Sequence, residues 1–566
     1  MRKIFIILLC FMLCPLSLFA CGSNEGDSGS NVLRISNCED YIDEELLAEF
    51  EELYDCTIEY STFGTLENLY NDIKITPDRF DLICPSDYMI EKMAKEGMLQ
   101  KITFSEEGYY KTYVSPYIES TFDSITWTEN GETVSLSDYA GCYMWGTLGL
   151  TFNPEYVLGE DMESWSSLWD EKYKNVSTIK DSIRDSYFMG IAYANKEQLD
   201  TLSGEYEDTL LELETAFTNG DITANEFNAG CEQALGVYQT AIRAIFNDTS
   251  EENVKRVEEG LKALKGNIYG FEVDSGKNDI ASGKITINFA WSGDAVYAMD
   301  EAEGQGVELY YTVPDEGSNV WFDGWCVPAS SNNVDLAVKF IEFLSDPEIV
   351  VRNMEYIGYT SGMGGQAVFD NAIDWYGVCT LEQSELTEEE YLELSEDDME
   401  YYELCADGTV YEYVYAEDLV YGNDEDGYFA DIVYFDEETE SVYAEETEIY
   451  KVDLGYFFGD GEWIIYTDTI GRQFTAQYPT KDIIDRCVVM NCYDEEANGR
   501  VTLMWERVKG FTFANWVIIL LSVLIVLSIA FVVCFKYREK LFKKKVATYK
   551  ENKNRKKYKV VKIEKM

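Results

Sequence analysis

Strand and helix patterns alternate regularly from residue 31 onward, and this alternation limits the possible folds more than any other feature of the chain. Apolar residues such as Leu46 and Phe50 recur at helical spacing, while the intervening runs are short and have strand character. The predicted order is strand Val32–Ser36, helix Glu44–Tyr54, strand Thr57–Ser61, helix Leu66–Ile73, strand Asp81–Cys84 and helix Tyr88–Glu96. A βαβαβ order predicts an α/β fold with a parallel, doubly wound sheet.

Aromatic and acidic residues directly follow two of these strands. They form the clusters Asn37–Tyr41 and Pro85–Tyr88. Because ligands of doubly wound folds bind beyond the carboxyl ends of the strands, both clusters are candidates for a ligand site.

A third candidate lies in Val320–Pro328, where Trp321 and Asp323 are two residues apart. Residues i and i+2 of a strand share a face, so the ring and the carboxylate are predicted to project into the same space. That combination suits an organic cation, which the ring attracts and the carboxylate pairs with. The alternative is a buried tryptophan beside an aspartate at the end of a strand.

The chain is strongly acidic and contains no histidine. Its 566 residues include 44 Lys or Arg and 106 Asp or Glu, a formal charge of −62. A field of this sign repels nucleic acid and attracts small cations. Without histidine, Ser-His-Asp and Cys-His catalysis and His-ligated metal sites are excluded. The sequence also lacks Cys-x2-Cys pairs and a Gly-x4-Gly-Lys-[Ser/Thr] loop, so we expect no metal, no cofactor and no ATP hydrolysis.

Both ends of the chain carry membrane signals. Residues 1–20 have a basic start and an apolar run typical of a secretory signal, and Cys21 follows them as in a bacterial lipoprotein, whose cysteine is lipid-modified. Residues 21–30 are rich in Gly, Ser and Asp, which indicates a flexible tether. Phe511–Phe535 has no charged residue and is long enough to span a bilayer. The basic tail Lys536–Met566 predicts a cytoplasmic end, so the protein would sit at the cell membrane with its ectodomain outside.

Residues 376–466 differ in composition from the rest of the chain. They are dense in Tyr, Asp and Glu and contain alternating runs such as Val410–Tyr415 and Ile432–Phe435, so we predict an acidic, β-rich insertion. An EF-hand calcium loop does not fit, because Gly422 and Val433 stand at its first and last ligand positions. Ten cysteines lie in the predicted ectodomain, and the sequence leaves free thiols and disulfides equally open.

The order of short motifs resembles the spermidine/putrescine-binding proteins of ATP-binding-cassette importers. The resemblance covers about residues 31–369 and 472–510, and it depends on the order and spacing of eight motifs, none of which is specific alone. The motifs are Asn37–Tyr41, Phe80–Tyr88, Trp145–Thr147, Asp181–Asp185, Phe289–Gly293, Trp321–Asp323, Ile357–Thr360 and Tyr478–Pro479.

This resemblance implies a two-lobe, type II periplasmic-binding-protein-like fold, in which the lobes close over a ligand by a hinge motion. Lobe 1 would comprise residues 31–143 and about 320–365, and lobe 2 residues 144–319 and about 467–510. The implied protein is not an enzyme. It is an extracellular receptor that binds spermidine or putrescine and delivers it to a membrane permease, with a separate ATPase driving transport.

The family's ligand-binding residues, transferred to matching positions, fall on aromatic and hydroxyl side chains and on two carboxylates. Rings pack against the methylenes and ammonium groups of a polyamine, and carboxylates pair with its charged ends. The implied positions are Tyr41, Ser86, Tyr88, Trp291, Trp321 and Tyr359, with Asp185 and Asp323 as the carboxylates.

Three positions depart from the family's pattern. Cys38 replaces a cleft tryptophan, Ser182 replaces a second acid, and Met490 replaces a late glutamine. These changes leave open whether spermidine or putrescine is preferred. Glu39 is a candidate for the missing charge, and the alternative is that it is only a solvated acid.

Three other interpretations remain open. The same fold could serve another small organic cation, which Cys38 and Ser182 motivate. A surface sensor would account for the extra membrane segment and the basic tail. A secreted glycosidase would use Asp185 and Asp323 as paired carboxylates, but nothing else in the sequence supports catalysis.

Overall fold

The structure is a computed structural model that describes residues 31–395, 399, 401–423, 427–436 and 439–510, and short stretches between 523 and 545. The predicted signal sequence, Cys21 and the tether lie outside the described residues, as do much of Phe511–Phe535 and the end of the basic tail. Within the part that is described, no helix has both the length and the apolar composition needed to cross a bilayer. The predictions for both chain ends therefore stay predictions.

The chain divides by its internal contacts into a main unit that ends at Thr502 and a second unit, Leu503–Met566. The described part of the second unit is helical and consists of the end of the helix Glu495–Lys509 and short stretches between 523 and 545. The candidate site described below lies entirely in the main unit.

The described residues contain twenty strands, named β1–β20 in chain order. They are Val32–Asn37, Thr57–Thr62, Leu82–Ile83, Thr126–Glu129, Glu132–Ser135, Ala140–Phe152, Ser177–Lys180, Gly270–Glu272, Ile287–Trp291, Tyr310–Thr312, Ser318–Cys326, Thr360–Ser361, Cys379–Gln383, Tyr402–Leu404, Val410–Tyr415, Tyr421–Asn423, Gly427–Asp436, Ser441–Asp453, Ile464–Thr467 and Cys487–Val488.

The α-helices of the described residues are named α1–α20 in the same way. They are Glu44–Tyr54, Leu66–Ile75, Asp87–Lys95, Tyr109–Tyr113, Pro116–Ser124, Gly159–Met162, Ile183–Ala194, Lys196–Thr218, Ala224–Phe246, Glu251–Leu264, Ser275–Ala281, Ser292–Glu303, Val334–Leu344, Pro347–Ile357, Gln366–Tyr376, Glu388–Tyr391, Gly455–Phe458, Gln473–Gln477, Lys481–Asp485 and Glu495–Lys509.

The predicted α/β class is confirmed, and the first six predicted elements occur in the predicted order. β1 pairs in parallel with β2 and with β3, as expected for a βαβαβ segment. Leu33 and Ile35 are fully buried on β1. Helix α1 has the predicted bounds, and its buried face includes Leu46 and Phe50. Its N-cap is Asp43, whose carboxylate accepts a hydrogen bond from the backbone N–H of Glu45.

One large mixed sheet forms the centre of the main unit. Its strand order is β2-β1-β3-β11-β6-β9-β7-β8, with β10 and β12 also paired to β6 and β20 paired to β11. The outer strands β1–β3 and β7–β9 are parallel among themselves. β11 and β6 run antiparallel to each other, β11 is antiparallel to β3, and β6 is antiparallel to β9. Two parallel halves are therefore joined by two antiparallel strands.

Strand β6 connects the two halves of the sheet. All of its residues, Ala140–Phe152, are buried. Its first part pairs with β11 and its last five residues pair with β9. The predicted lobe boundary between residues 143 and 144 falls inside β6, so the backbone passes from one half to the other without leaving the sheet. The lobe boundaries stay a prediction.

Residues 376–466 contain β-strands, as the alternating runs predict. They contribute to a three-stranded sheet, β13-β15-β14, and a four-stranded sheet, β16-β17-β18-β19. These sheets enclose a small apolar core of their own, formed by Val378, Ala416, Ala430, Ile432 and Ile449. That this segment is an insertion into the family's fold stays a prediction. All ten described cysteines are free thiols.

Candidate functional site

Asp323 lies at an irregularity between the two central strands. On β11 it pairs with Met144 of β6, whereas the next residue, Gly324, pairs with Cys142, so the register shifts between them. The unpaired residue is Tyr143, so the bulge lies on β6, opposite Asp323 and Gly324; bulges are common next to functional sites. Ser86, the N-cap residue of α3, forms a backbone bridge with Asp323. The carboxylate is thus placed where β11 meets the start of α3.

One oxygen of the Asp323 carboxylate is bound, and the other has no partner. Tyr41 donates its hydroxyl to Oδ2 at 2.8 Å, and the Ser86 side chain also hydrogen-bonds to the carboxylate. Oδ1 is buried without a hydrogen-bond partner among the described residues, and no Lys or Arg of this part of the chain pairs with it. A buried carboxylate without a counter-ion is costly, so a cation that reached Oδ1 would be bound favourably.

Burial raises the pKa of Asp323 to about 6. The hydrogen bonds from Ser86 and Tyr41 lower it and the nearby charge of Asp185 raises it, but burial is the largest influence. The carboxylate is therefore mostly ionised at pH 7, in surroundings that disfavour its charge. Pairing with a cation would relieve that cost.

Three aromatic rings surround this carboxylate. Tyr41 and Tyr359 meet edge to face with their centroids 4.9 Å apart, and Tyr359 meets Trp321 edge to face at 5.8 Å. Trp321 lies close against β6 because residue 146 is glycine, where an added Cβ would stand 2.7 Å from the Trp321 ring. Rings grouped around a carboxylate resemble the aromatic cages that hold ammonium groups.

Trp291 and Asp185 form a second group, at the ends of β9 and β7. Trp291 is the last residue of β9, and its indole N–H donates to the Asp185 carboxylate. Ser182 is the N-cap of α7 and also hydrogen-bonds to Asp185. The ammonium of Lys180 lies 4.0 Å from the centroid of the Trp291 ring. One face of this ring is therefore already occupied by a cation of the chain itself.

Tyr88 is covered in a similar way. The guanidinium carbon of Arg184 lies 4.1 Å from the Tyr88 ring centroid and 3.7 Å from that of Tyr493. Arg184 also donates from Nη2 to the backbone carbonyl of Asn491 at 2.6 Å. Since Tyr88 lies in the first turn of α3 and Arg184 lies on α7, this stack connects the two halves of the sheet.

The structure does not bring Glu39 into this group. Its side chain is exposed, which matches the alternative of a solvated acid. Burial raises the pKa of the Cys38 thiol, and the charge of nearby Asp323 raises this pKa further. Met490 is buried.

Sequence reasoning missed two groups that shape the site. Asp294 accepts a hydrogen bond from the Tyr359 hydroxyl at 2.9 Å and another from Lys180. Asp87 accepts from the backbone N–H of Phe322 at 3.1 Å and so joins α3 to β11. The first group could have been found from the sequence, because Lys180 stands at the carboxyl end of a strand in a very acidic chain and needs acidic partners if it is buried. In the described residues, no group of three or more acids and cysteines is placed to hold a metal ion.

A buried carboxylate with a free oxygen, next to aromatic rings, is chemically suited to bind an ammonium group. The sequence model of the bacterial extracellular solute-binding protein family matches residues 45–365, more than half of the chain. The chain belongs to this family.

Its relatives include the spermidine/putrescine-binding periplasmic proteins of Salmonella typhimurium and Escherichia coli. The first is 25% identical over 336 residues, which are 59% of this chain and 78% of the relative. The second is 25% identical over 334 residues, covering 58% and 77%. The resemblance to the polyamine-binding proteins is thereby confirmed.

A solved structure described as a spermidine/putrescine ABC transporter from Listeria monocytogenes shares the fold. It superimposes with a TM-score of 0.51 at 20% identity, over 85% of this chain and 99% of that one. At this identity the likeness establishes the two-lobe α/β fold and nothing more specific.

Proposed function

We propose that this protein is an extracellular receptor for a polyamine, spermidine or putrescine, which it delivers to the permease of an ATP-binding-cassette importer. The observation that carries the proposal is the buried Asp323 carboxylate, which has a free oxygen and no counter-ion among the described residues. Tyr41, Tyr359 and Trp321 stand around it. An ammonium group fits there because rings and a carboxylate both attract it.

The proposed lobes would close over the ligand by bending at the two central strands. β6 and β11 are the strands that join the parallel halves of the sheet, so small backbone changes there would move one half relative to the other. The permease would distinguish the closed, loaded form from the open one. No reaction is proposed, and an ATPase on a separate chain would supply the energy for transport.

The predicted anchors fit this role. A lipid on Cys21 and a membrane segment at Phe511–Phe535 would both hold the receptor at the outer surface of the membrane, next to its permease.

Isothermal titration of the purified full-length protein in mild detergent tests the ligand. We expect spermidine, putrescine or both to bind with a Kd of about 1 µM or tighter. Butanediol has the same chain length as putrescine but no charge, and it should not bind. A folded protein that binds neither amine would refute the polyamine proposal and direct the search to other small organic cations, for which Cys38 and Ser182 already argue.

The pH dependence of binding follows from the same carboxylate. Only ionised Asp323 pairs with an ammonium, and its pKa in the unliganded protein is about 6. We therefore expect the affinity to be nearly constant above pH 7 and to fall by about tenfold per pH unit well below pH 6. Titrations between pH 4.5 and 8 would measure this, and an affinity that does not fall in acid would contradict the role of Asp323.

A further inference from the structure

Lys180 is buried at the end of β7, where its ammonium makes two hydrogen bonds and lies close to a second carboxylate. Its side chain has no exposed surface. The ammonium donates to the backbone carbonyl of Val273 at 3.0 Å and to Asp294 at 2.9 Å, and it lies 3.1 Å from Glu272. Burial opposes its charge, but Asp294 and Glu272 outweigh burial and raise the pKa of the lysine.

The surroundings of this ammonium are those of a ligand subsite. Its nitrogen lies 4.0 Å from the ring centroid of Trp291, between the ring and two carboxylates. A primary ammonium would be bound well there, because the ring face and the two carboxylates both attract it. The chain supplies this ammonium itself, from the strand next to Trp291.

The carboxylates around Trp291 have cations close by, whereas in the described part of the chain Asp323 does not. Asp294 and Glu272 are compensated by Lys180, and Lys277 lies 3.8 Å from Asp294. Asp185 feels the positive charges of Lys180 and Arg184, which lower its pKa against the effect of burial. Asp323 has no cation near it among the described residues. Among these carboxylates, Asp323 is the one without a nearby cation among the described residues.

We propose that Lys180 is a specificity-determining residue. Its ammonium fills an ammonium subsite at Trp291, so the protein accepts ligands that bury only one ammonium group. That group would bind at Asp323. This inference rests on the proposed function and narrows it. Putrescine would be preferred to spermidine, because the longer triamine would bring a second ammonium towards Trp291 and meet Lys180 there. Two positive charges at such a short distance repel each other strongly where water is excluded.

The test replaces Lys180 by methionine, which is shorter by the position of the ammonium nitrogen and has no charge. Butylamine, putrescine and spermidine are titrated into full-length wild type and Lys180→Met. We expect the wild type to bind putrescine at least about tenfold more tightly than spermidine, and butylamine within about tenfold of putrescine. In Lys180→Met, an ammonium of spermidine can take the vacated position, so the ratio of spermidine to putrescine affinity should rise by at least about tenfold.

Lys196→Met is the matched control. Lys196 also bridges two acids, Asp200 at 2.9 Å and the buried Glu316 at 3.0 Å, but it lies at the start of α8 and contacts none of the cleft residues named above. Its replacement removes the same charge and leaves a buried acid unpaired, and the affinity ratio should stay at the wild-type value. If the ratio of spermidine to putrescine affinity is unchanged in Lys180→Met, Lys180 forms only a structural ion pair and does not determine specificity.

Two further outcomes keep the result clear. If Lys180→Met does not fold without ligand, its thermal unfolding is measured with each amine present. Spermidine should restore a cooperative unfolding transition and butylamine should not. If the two amines restore it equally, or neither does, the inference is wrong. If the wild type binds none of the three amines, it is the proposed function that fails. A wild type that binds spermidine as tightly as putrescine would refute the inference alone.

Discussion

Replacement of Asp323 by asparagine is expected to lower the affinity for putrescine by at least about 100-fold, because truncating one partner of a buried charge pair costs roughly 2–5 kcal/mol. Asparagine has nearly the same shape and can still accept the Tyr41 hydrogen bond that Oδ2 receives at 2.8 Å. The loss would therefore report the missing charge and not a disturbed site. Isothermal titration at pH 7.5 measures it.

The same variant should be more stable than the wild type when no ligand is present. The pKa of Asp323 is about 6 in the folded protein, above its ordinary value of 3.8. A carboxyl group with a raised pKa stabilises the fold below pH 4, and this contribution is lost as the pH rises through 6. Asparagine cannot ionise, so at pH 7 we expect a gain of about 1–3 kcal/mol in the free energy of unfolding.

Asp335→Asn serves as the control for both measurements. Asp335 is exposed at the start of α13, so its replacement should change neither binding nor stability appreciably. If Asp323→Asn binds putrescine as the wild type does, Asp323 is not the ammonium-binding carboxylate. If it loses binding together with stability, the loss reflects a damaged fold instead.

Replacement of Gly293 by alanine is expected to weaken binding by at least about tenfold, since adding a methyl group to a well-packed position forces its neighbours to move at a cost of about 1–3 kcal/mol. Gly293 follows Trp291 closely, in the first turn of α12, and an added Cβ would stand 2.2–2.4 Å from atoms of the Tyr359 ring. Tyr359 would have to move away. Its hydrogen bond to Asp294 and its contact with Tyr41 would then be lost.

Gly270→Ala is the matched control, because a Cβ at residue 270 meets no atom within 4 Å. Titration with putrescine and the near-ultraviolet circular dichroism of the aromatic residues would be measured for both variants. Unchanged affinity together with a changed aromatic spectrum would show that Tyr359 moves but does not contribute to binding. An unchanged spectrum would show that the site absorbs the extra methyl group.

Local features of the sequence were sufficient for the elements and for part of the site. Hydrophobic spacing located α1 with its observed bounds, because a helix buries residues three and four apart whatever it packs against. The spacing of Trp321 and Asp323 placed both on one strand, and β11 includes them. Motif order was enough to identify the family.

The bulge of β6 opposite Asp323 could not be foreseen in the same way. It depends on how β11 pairs with β6, a strand about 180 residues away in the chain. A run of alternating residues shows which side chains share a face, but only the register with the partner strand shows where the pairing is interrupted. The hydrogen bond from Tyr41 to Asp323 likewise joins residues that are 282 positions apart.

The sequence by itself determined the α/β class, the family, and the presence of rings and carboxylates suited to a cation. Only the tertiary structure decided which of those groups remain available to a ligand. β7 runs parallel to β9 with Thr178 opposite Asn288, and this register carries Lys180 to the Trp291 ring. Arg184 covers Tyr88 across the two halves of the sheet, and Asp323 alone is left without a cation among the described residues. The physical reason is that charge compensation acts through space: a lysine neutralises whichever buried acids the strand pairing places beside it, and the order of residues along the chain does not specify that pairing.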